Sequence, residues 1–278
     1  GVNGVRFNGC NFSNNLDPQL STALKASQSS FIIDKYNSQA CVFENWSYAI
    51  ESISPVCPLL TVNTKIEGAL FDDNVHSIYL MGVENPQIRN NLINSAESQY
   101  PPQFGPLQPN TYAIYLDGLT TGFLVEGNKI NGGYSLFSNN AAYGIVVNNG
   151  VGPNLISKNH VENSTYGMHA LGANRTVSNA TIGLEYKCNT FGGSWNASTS
   201  QQNDEDIFVS TWTSGALTSS DGIARYQGNP NASHWSQLPN NLFSDPYERY
   251  HISNSANTFS YFYSNNSSQT LANRYVPS

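Results

Sequence analysis

The residues able to do chemistry are few and spread out. Charged residues make up 11% of the 278-residue chain, under half the ~25% usual in soluble proteins. Glycoside hydrolysis needs two carboxyl groups flanking one bond. Adjacent Asp72 and Asp73 are the best local pair, but neighbours on a strand point to opposite faces, so they do not face one substrate together. One of them with Asp117, on a nearby repeat, is geometrically open. Proton abstraction beside a carboxylate needs a base such as Arg or Lys, with a cation to neutralise the acid. Arg89 and Lys129 are available, yet Asp34, Glu51, Asp72, Asp117 and Glu126 fall at different points of the repeating pattern rather than in one column. His76, His160 and His169 are scattered in the same way, so no zinc triad is indicated. His76 stands where sister segments carry tyrosine, which points to packing. Ser-His-Asp order, phosphate-binding glycine loops and EF-hand loops do not occur. The sequence therefore assigns no catalytic residue, no metal ligand and no cofactor.

Cysteines and net charge narrow the partners. Cys10, Cys41, Cys57 and Cys188 are separated by 31, 16 and 131 residues, which matches neither zinc spacing nor a CxxC redox motif. Three disulfide pairings are open, as is the reading that all four are buried thiols acting as small apolar groups. Net charge is −7, and no basic patch is interleaved with aromatics, which excludes nucleic acid as the expected partner. Acidic polysaccharide is disfavoured without a bridging cation. No apolar run reaches the ~18 residues of a membrane span. The start, Gly1–Gly9, reads as a strand rather than a signal peptide, so the numbering is expected to begin inside a longer precursor.

The elements that must position these residues repeat. Tyr48-Ala49-Ile50, His76-Ser77-Ile78, Tyr112-Ala113-Ile114, Tyr143-Gly144-Ile145 and Tyr166-Gly167-Met168 share the order aromatic, small, apolar. A second frame follows each: Thr64-Lys65-Ile66, Asn91-Leu92-Ile93, Asn128-Lys129-Ile130, Asn159-His160-Val161 and Asn189-Thr190-Phe191. Cys10-Asn11-Phe12 and Asn241-Leu242-Phe243 fit the second frame too. Periods of 20–50 residues signal stacked repeats. Parallel strands need long connections, and no helical pattern fills these. The crossover must itself be strand and turn, which gives an all-β, right-handed parallel β-helix. Apolar positions such as Ile78, Ile114, Ile145 and Met168 would stack inside. Thr64, Asn91, Asn128, Asn159 and Asn189 would form a polar ladder at a corner, bonding along the stack without any ligand.

A single domain spanning 1–278 is expected: an N-terminal rung and cap over 1–47, regular rungs over 48–191 and irregular rungs over 192–278. Asp17–Ala26 reads as a short helix with Asp17 as cap and Pro18 in its first turn, covering the open end of the coil. Two insertions leave the coil. Ser95–Asn110 holds four prolines with Tyr100 and Phe104, and Gly192–Asp206 is rich in Ser, Asn and Gln. Binding residues concentrate on such loops. Tyr79 and Tyr115 occupy matching outward positions one rung apart, with Asp117 beside them. These five residues, Tyr79, Tyr115, Asp117, Tyr100 and Phe104, are the candidate binding group.

Several carbohydrate-active enzymes share this fold, but the Asn-Thr-Asp and Gly-His-Gly segments of polygalacturonase-like hydrolases are absent. At the level of whole segments, YGIVVNNGVGPNLISKNHVENSTYGMHALG, then GLEYKCNTF, DIFV, GIARYQG, NNLFS and TFSYFY occur in that order. This succession resembles the β-helix region, a pectate-lyase-like superfold, of large secreted Bacteroidota surface proteins exported by type IX secretion. The resemblance covers roughly residues 1–265. It implies a right-handed β-helix and an extracellular or cell-surface location, and it carries over no catalytic residue. The sorting domain such proteins carry is not visible, as expected of a fragment or a processed chain. Together these readings favour a non-enzymatic structural or adhesive module whose partners are glycans or surface proteins. The alternative is a polysaccharide lyase or glycoside hydrolase.

Overall fold

The computed structural model describes residues 4–14, 21–54, 63–96, 110–118, 120–133, 141–192, 203–211, 217–228, 239–244 and 250–262. Short apolar-alternating segments separated by Gly and Asn corners build three parallel sheets. Sheet A contains β1 (Val5–Asn8), β4 (Phe31–Asp34), β7 (Thr64–Glu67), β10 (Gln87–Arg89), β13 (Leu124–Glu126), β16 (Asn154–Ser157) and β19 (Leu184–Lys187). Sheet B contains β2 (Asn11–Ser13), β5 (Val42–Glu44), β8 (Leu70–Asn74), β11 (Leu92–Ser95), β14 (Lys129–Asn131), β17 (His160–Glu162) and β20 (Thr190–Phe191). Sheet C contains β3 (Thr22–Ser27), β6 (Tyr48–Ile53), β9 (His76–Met81), β12 (Thr111–Asp117), β15 (Ala142–Asn148), β18 (Tyr166–Leu171), β21 (Glu205–Ser210) and β23 (Tyr250–Asn254). A small pair, β22 (Tyr226–Gln227) with β24 (Ser260–Tyr261), lies near the C-terminal end.

Each coil contributes one strand to each sheet, and every pairing in the three sheets is parallel. The result is a right-handed parallel β-helix. In-register stacking begins at Val5, ahead of the Tyr48 start of the regular frame. The segment expected to be a helix is instead strand from Thr22 onward, and residues 17–20 lie outside the described residues. Asp17 and Pro18 suggested a cap, but Leu24 and Ala26 alternate inward against Ile50 and Ser52. Tertiary pairing overrides a weak local preference here.

Inside the coil, identical side chains stack on identical side chains. Ile78, Ile114, Ile145 and Met168 form one column and are fully buried. Phe12, Phe43 and Phe71 form another, with ring centroids 4.7 and 5.1 Å apart. The small residue of the aromatic-small-apolar frame (Ala49, Ser77, Ala113, Gly144, Gly167) is also buried, and above the two glycines a sheet B side chain fills the space. A Cβ on Gly144 would sit 2.5 Å from Val161 Cγ1 and 2.4 Å from Gly167 O.

The corner between sheets A and B is the most regular. Asn91, Asn128, Asn159, Asn189 and Asn241 stack there, each 2% exposed or less. The Asn128 amide donates to Ile88 O at 3.0 Å and to Asn159 Oδ1 at 2.9 Å, while its own Oδ1 accepts the Asn91 N–H at 3.0 Å. The residue before each Asn lies in the left-handed region: Asn90, Gly127, Lys158, Cys188 and Asn240 have φ of 50 to 68°. Thr64 does not join this column. Its register pairs it with Phe31 in sheet A, and its buried Oγ1 has no hydrogen-bond partner. Thr64-Lys65-Ile66 imitates the ladder frame but lies one strand early. Ala69 holds the ladder position of that coil and donates to Asn91 Oδ1 at 2.9 Å. Cys41 holds it one coil earlier, where its Sγ accepts the Cys10 N–H at 3.3 Å.

Candidate functional site on the outer face of sheet C

Sheet C carries a continuous column of rings on its outer face. Tyr48, His76, Tyr112, Tyr143 and Tyr166 occupy the first outward position of successive strands, with adjacent centroids 4.5 to 5.2 Å apart. Three residues on, Tyr79 and Tyr115 are register partners, stacked at 5.4 Å with planes 27° apart. Tyr112 meets Tyr115 edge-on at 4.9 Å, which joins the two columns. Further along, His169 packs among Tyr143, Tyr166 and Phe208. The rings stack along the solenoid axis and cover one another's faces. What the surface presents is ring edges and phenol oxygens. Tyr79 and Tyr115, expected at matching outward positions, therefore meet solvent edge-on.

Asp117 anchors a polar cluster beside the rings. Tyr79 Oη donates to its Oδ2 at 3.0 Å, and Asn148 Nδ2 and the Gly118 N–H donate to its Oδ1 at 2.6 and 2.8 Å. Asn148 also reaches Tyr115 Oη at 3.4 Å. Burial, aided by the Asp117 charge, pushes Tyr115 up to about 12 and raises Tyr79 as well, so both phenols are neutral donors or acceptors in the physiological range. Burial alone lowers His76 and His169 to about 4. Both imidazoles are therefore neutral members of the stack, and His169 Nε2 lies 2.8 Å from Ser210 Oγ. This face can present Asp117 and two phenols to a polyhydroxylated surface, with buried Asn148 holding Asp117 and Tyr115 in place from below.

The structure brings Tyr79, Tyr115 and Asp117 together. Tyr100 and Phe104 lie outside the described residues. Asp72 and Asp73 depart from the expected alternation. Asp73 has φ of 54° at a bulge, so neither carboxylate is buried: Asp72 is half-buried and Asp73 exposed. Asp72 cannot join Asp117 either, because it lies on the outer face of sheet B, bonded to Asn94 at 3.1 Å. On sheet A Glu126 pairs with Lys158 at 2.7 Å and lies 3.7 Å from Arg89, while on sheet C itself Glu51, the register neighbour of Tyr79, pairs with Lys25 at 2.8 Å. Among the described residues no group of three His, Cys, Asp or Glu side chains is placed to hold a metal ion. Asn148 and the first ring column were missed from sequence. The ring column had a signal, the aromatic that opens each strand frame; Asn148 had none, because its register column runs Met81, Asp117, Asn148, Leu171.

A family described as the right handed beta helix region matches residues 1–182. The chain belongs to the right-handed β-helix family. Among solved structures, this β-helix is similar to tailspike protein 3 of bacteriophage CBA120, at 14% identity and a TM-score of 0.47. The match covers 74% of this chain and 33% of that one, so the β-helix spans about a third of the tailspike's length. No curated protein matches the sequence. No helix among the described residues is long and apolar enough to cross a membrane.

Proposed function

We propose that this β-helix is a non-enzymatic extracellular or cell-surface module that adheres to neutral glycans through the outer face of sheet C. The observation that carries the reading is the Tyr79–Tyr115–Asp117–Asn148 cluster, fixed on strands rather than loops. A sugar presents many hydroxyls, and a carboxylate with two phenols held along a row of ring edges offers hydrogen-bond partners for them. Asp117 accepts three hydrogen bonds, which fix its carboxyl group in one orientation beside the two phenols. The extracellular setting, on a Bacteroidota cell and by type IX secretion, rests on the segment-level resemblance of residues 1–265. Surface proteins are the other partner class this setting offers.

The second reading, a polysaccharide lyase or hydrolase, is favoured by one feature only: Asp117 stands on an outward aromatic face. Binding tests separate the site from the rest of the surface. Wild type should be retained on immobilised neutral polysaccharides. Tyr79→Phe and Tyr115→Phe, which keep the ring stack, should weaken retention about tenfold in combination. Unchanged retention by the double variant removes sheet C as the site.

A further inference from the structure

Sheet B has an outer face that the reading above does not use. Two lanes run along the solenoid axis across it. In the first, Val42, Leu70, Leu92, Lys129 and His160 are register neighbours. In the second, Glu44, Asp72, Asn94, Asn131 and Glu162 follow one another. Between the lanes, over three successive coils, lies a hollow of about 230 Å³ lined by Leu92, Asn94, Lys129, Asn131, His160 and Glu162 and floored by Ile130. That is below the ~300–1,000 Å³ of sites for drug-sized ligands, and it suits one small unit of a longer molecule.

The chemistry of the two lanes defines the occupant. Leu92 is 44% exposed and offers an apolar contact at the rim. The opposite lane is polar and partly fixed: Asn94 Nδ2 is bonded to Asp72, Asn163 Nδ2 to Asn131 Oδ1 at 2.9 Å, and His160 Nε2 lies 3.2 Å from Glu162 Oε2. Amides and a carboxylate accept and donate to hydroxyls, while Leu92 faces C–H groups. Glu44, Asp72 and Glu162 outweigh Lys129 along the lanes, so an anionic polymer is repelled. All backbone groups of these strands are used by the ladder, which leaves no edge for a peptide strand to extend. We infer that the outer face of sheet B is a second binding site, for a linear neutral saccharide lying along the solenoid axis with one unit seated in the Leu92–Glu162 hollow. Coils repeat at about 4.8 Å, so a linear polymer meets a new pair of side chains at every strand it crosses.

Titration calorimetry of the whole chain with cellohexaose, xylohexaose and mannohexaose, and with hexagalacturonate as the anionic comparison, tests this. At least one neutral hexamer should bind. Asn131→Ala and Glu162→Gln should each weaken it about tenfold, and Leu92→Ser should do so without touching a hydrogen bond. Tyr79→Phe/Tyr115→Phe should leave this component intact, which separates the second site from the sheet C reading. No binding of any neutral hexamer at millimolar concentration, tighter binding of the galacturonate, or full affinity in all three sheet B variants would each overturn the inference. Loss of binding only in the Tyr79/Tyr115 variant would also overturn it and leave sheet C as the single site.

Discussion

Asn128 shows how one residue type at one spacing specifies a corner. Its carboxamide spans three coils, donating to Ile88 O and Asn159 Oδ1 and accepting from Asn91. Asn128→Ala would leave the Asn91 N–H and Ile88 O without these partners in a fully buried setting. A buried unsatisfied group costs about 1–3 kcal/mol, so the substitution should destabilise by roughly 2–4 kcal/mol. Urea midpoints checked against a surface control, Gln87→Ala, read this directly. The residue before each ladder Asn pays a conformational cost unless it is glycine. Cys188 sits at φ of 55° where Gly127 holds the same corner at 68°. Cys188→Gly should therefore raise stability by about 0.5–1 kcal/mol, seen as an upward shift in Tm. Asparagines of this ladder were readable from sequence because a period near 30 residues repeats them. Thr64 misled because polar-x-apolar also describes the start of a sheet A strand, and nothing local distinguishes the two. Ala69 carries no polar side-chain signal at all, although it holds the same corner.

At the scale of the element, sheet C links packing to pH. His76 and His169 are 8% and 7% exposed among rings, and burial lowers both to about 4. The unfolded chain titrates each near 6.5. Between about 4 and 6.5 the unfolded state binds more protons, so stability is full above pH 6.5 and is lost as pH falls toward 4. The loss is roughly 3 kcal/mol per histidine at its limit. Asp206 acts in the opposite sense. It is 1% exposed, and burial raises it to about 6, so its contribution falls as pH rises from about 4 through 6. Replacing His76 by Phe isolates the histidine effect: the variant should lose less stability than wild type between pH 7 and 4.5 in thermal melts. Asp206 also ties the irregular end to the regular coils, accepting from the Ser244 N–H and Oγ at 2.8 Å each and from Asn203 Nδ2 at 3.1 Å. Asp206→Ala should cost about 3 kcal/mol and speed amide exchange over residues 241–244 more than in the central coils. The strand β3 shows why the N-terminal element was misread. Its cap-like Asp17-Pro18 is local, whereas its pairing with β6 is only visible once the solenoid is assembled.

At the scale of the molecule, the sequence was most informative where the architecture repeats. Strand frames, inward isoleucines and asparagine corners recur, and each coil contacts only its neighbours. The candidate site was less legible for the same reason. Tyr79, Tyr115 and Asp117 could be placed outward by alternation, but Asn148 enters the cluster only through the register of β12 with β15. The hollow on sheet B needs three coils to exist. Both faces are built from strands, so a ligand would meet preformed surfaces and bind with little ordering cost. The direct test of the central claim, binding without chemistry, is to incubate the protein with neutral and acidic polysaccharides and follow new reducing ends and unsaturated uronate absorbance. The account predicts retention on neutral polymers with no turnover of either class; sustained turnover abolished by Asp117→Asn would contradict it.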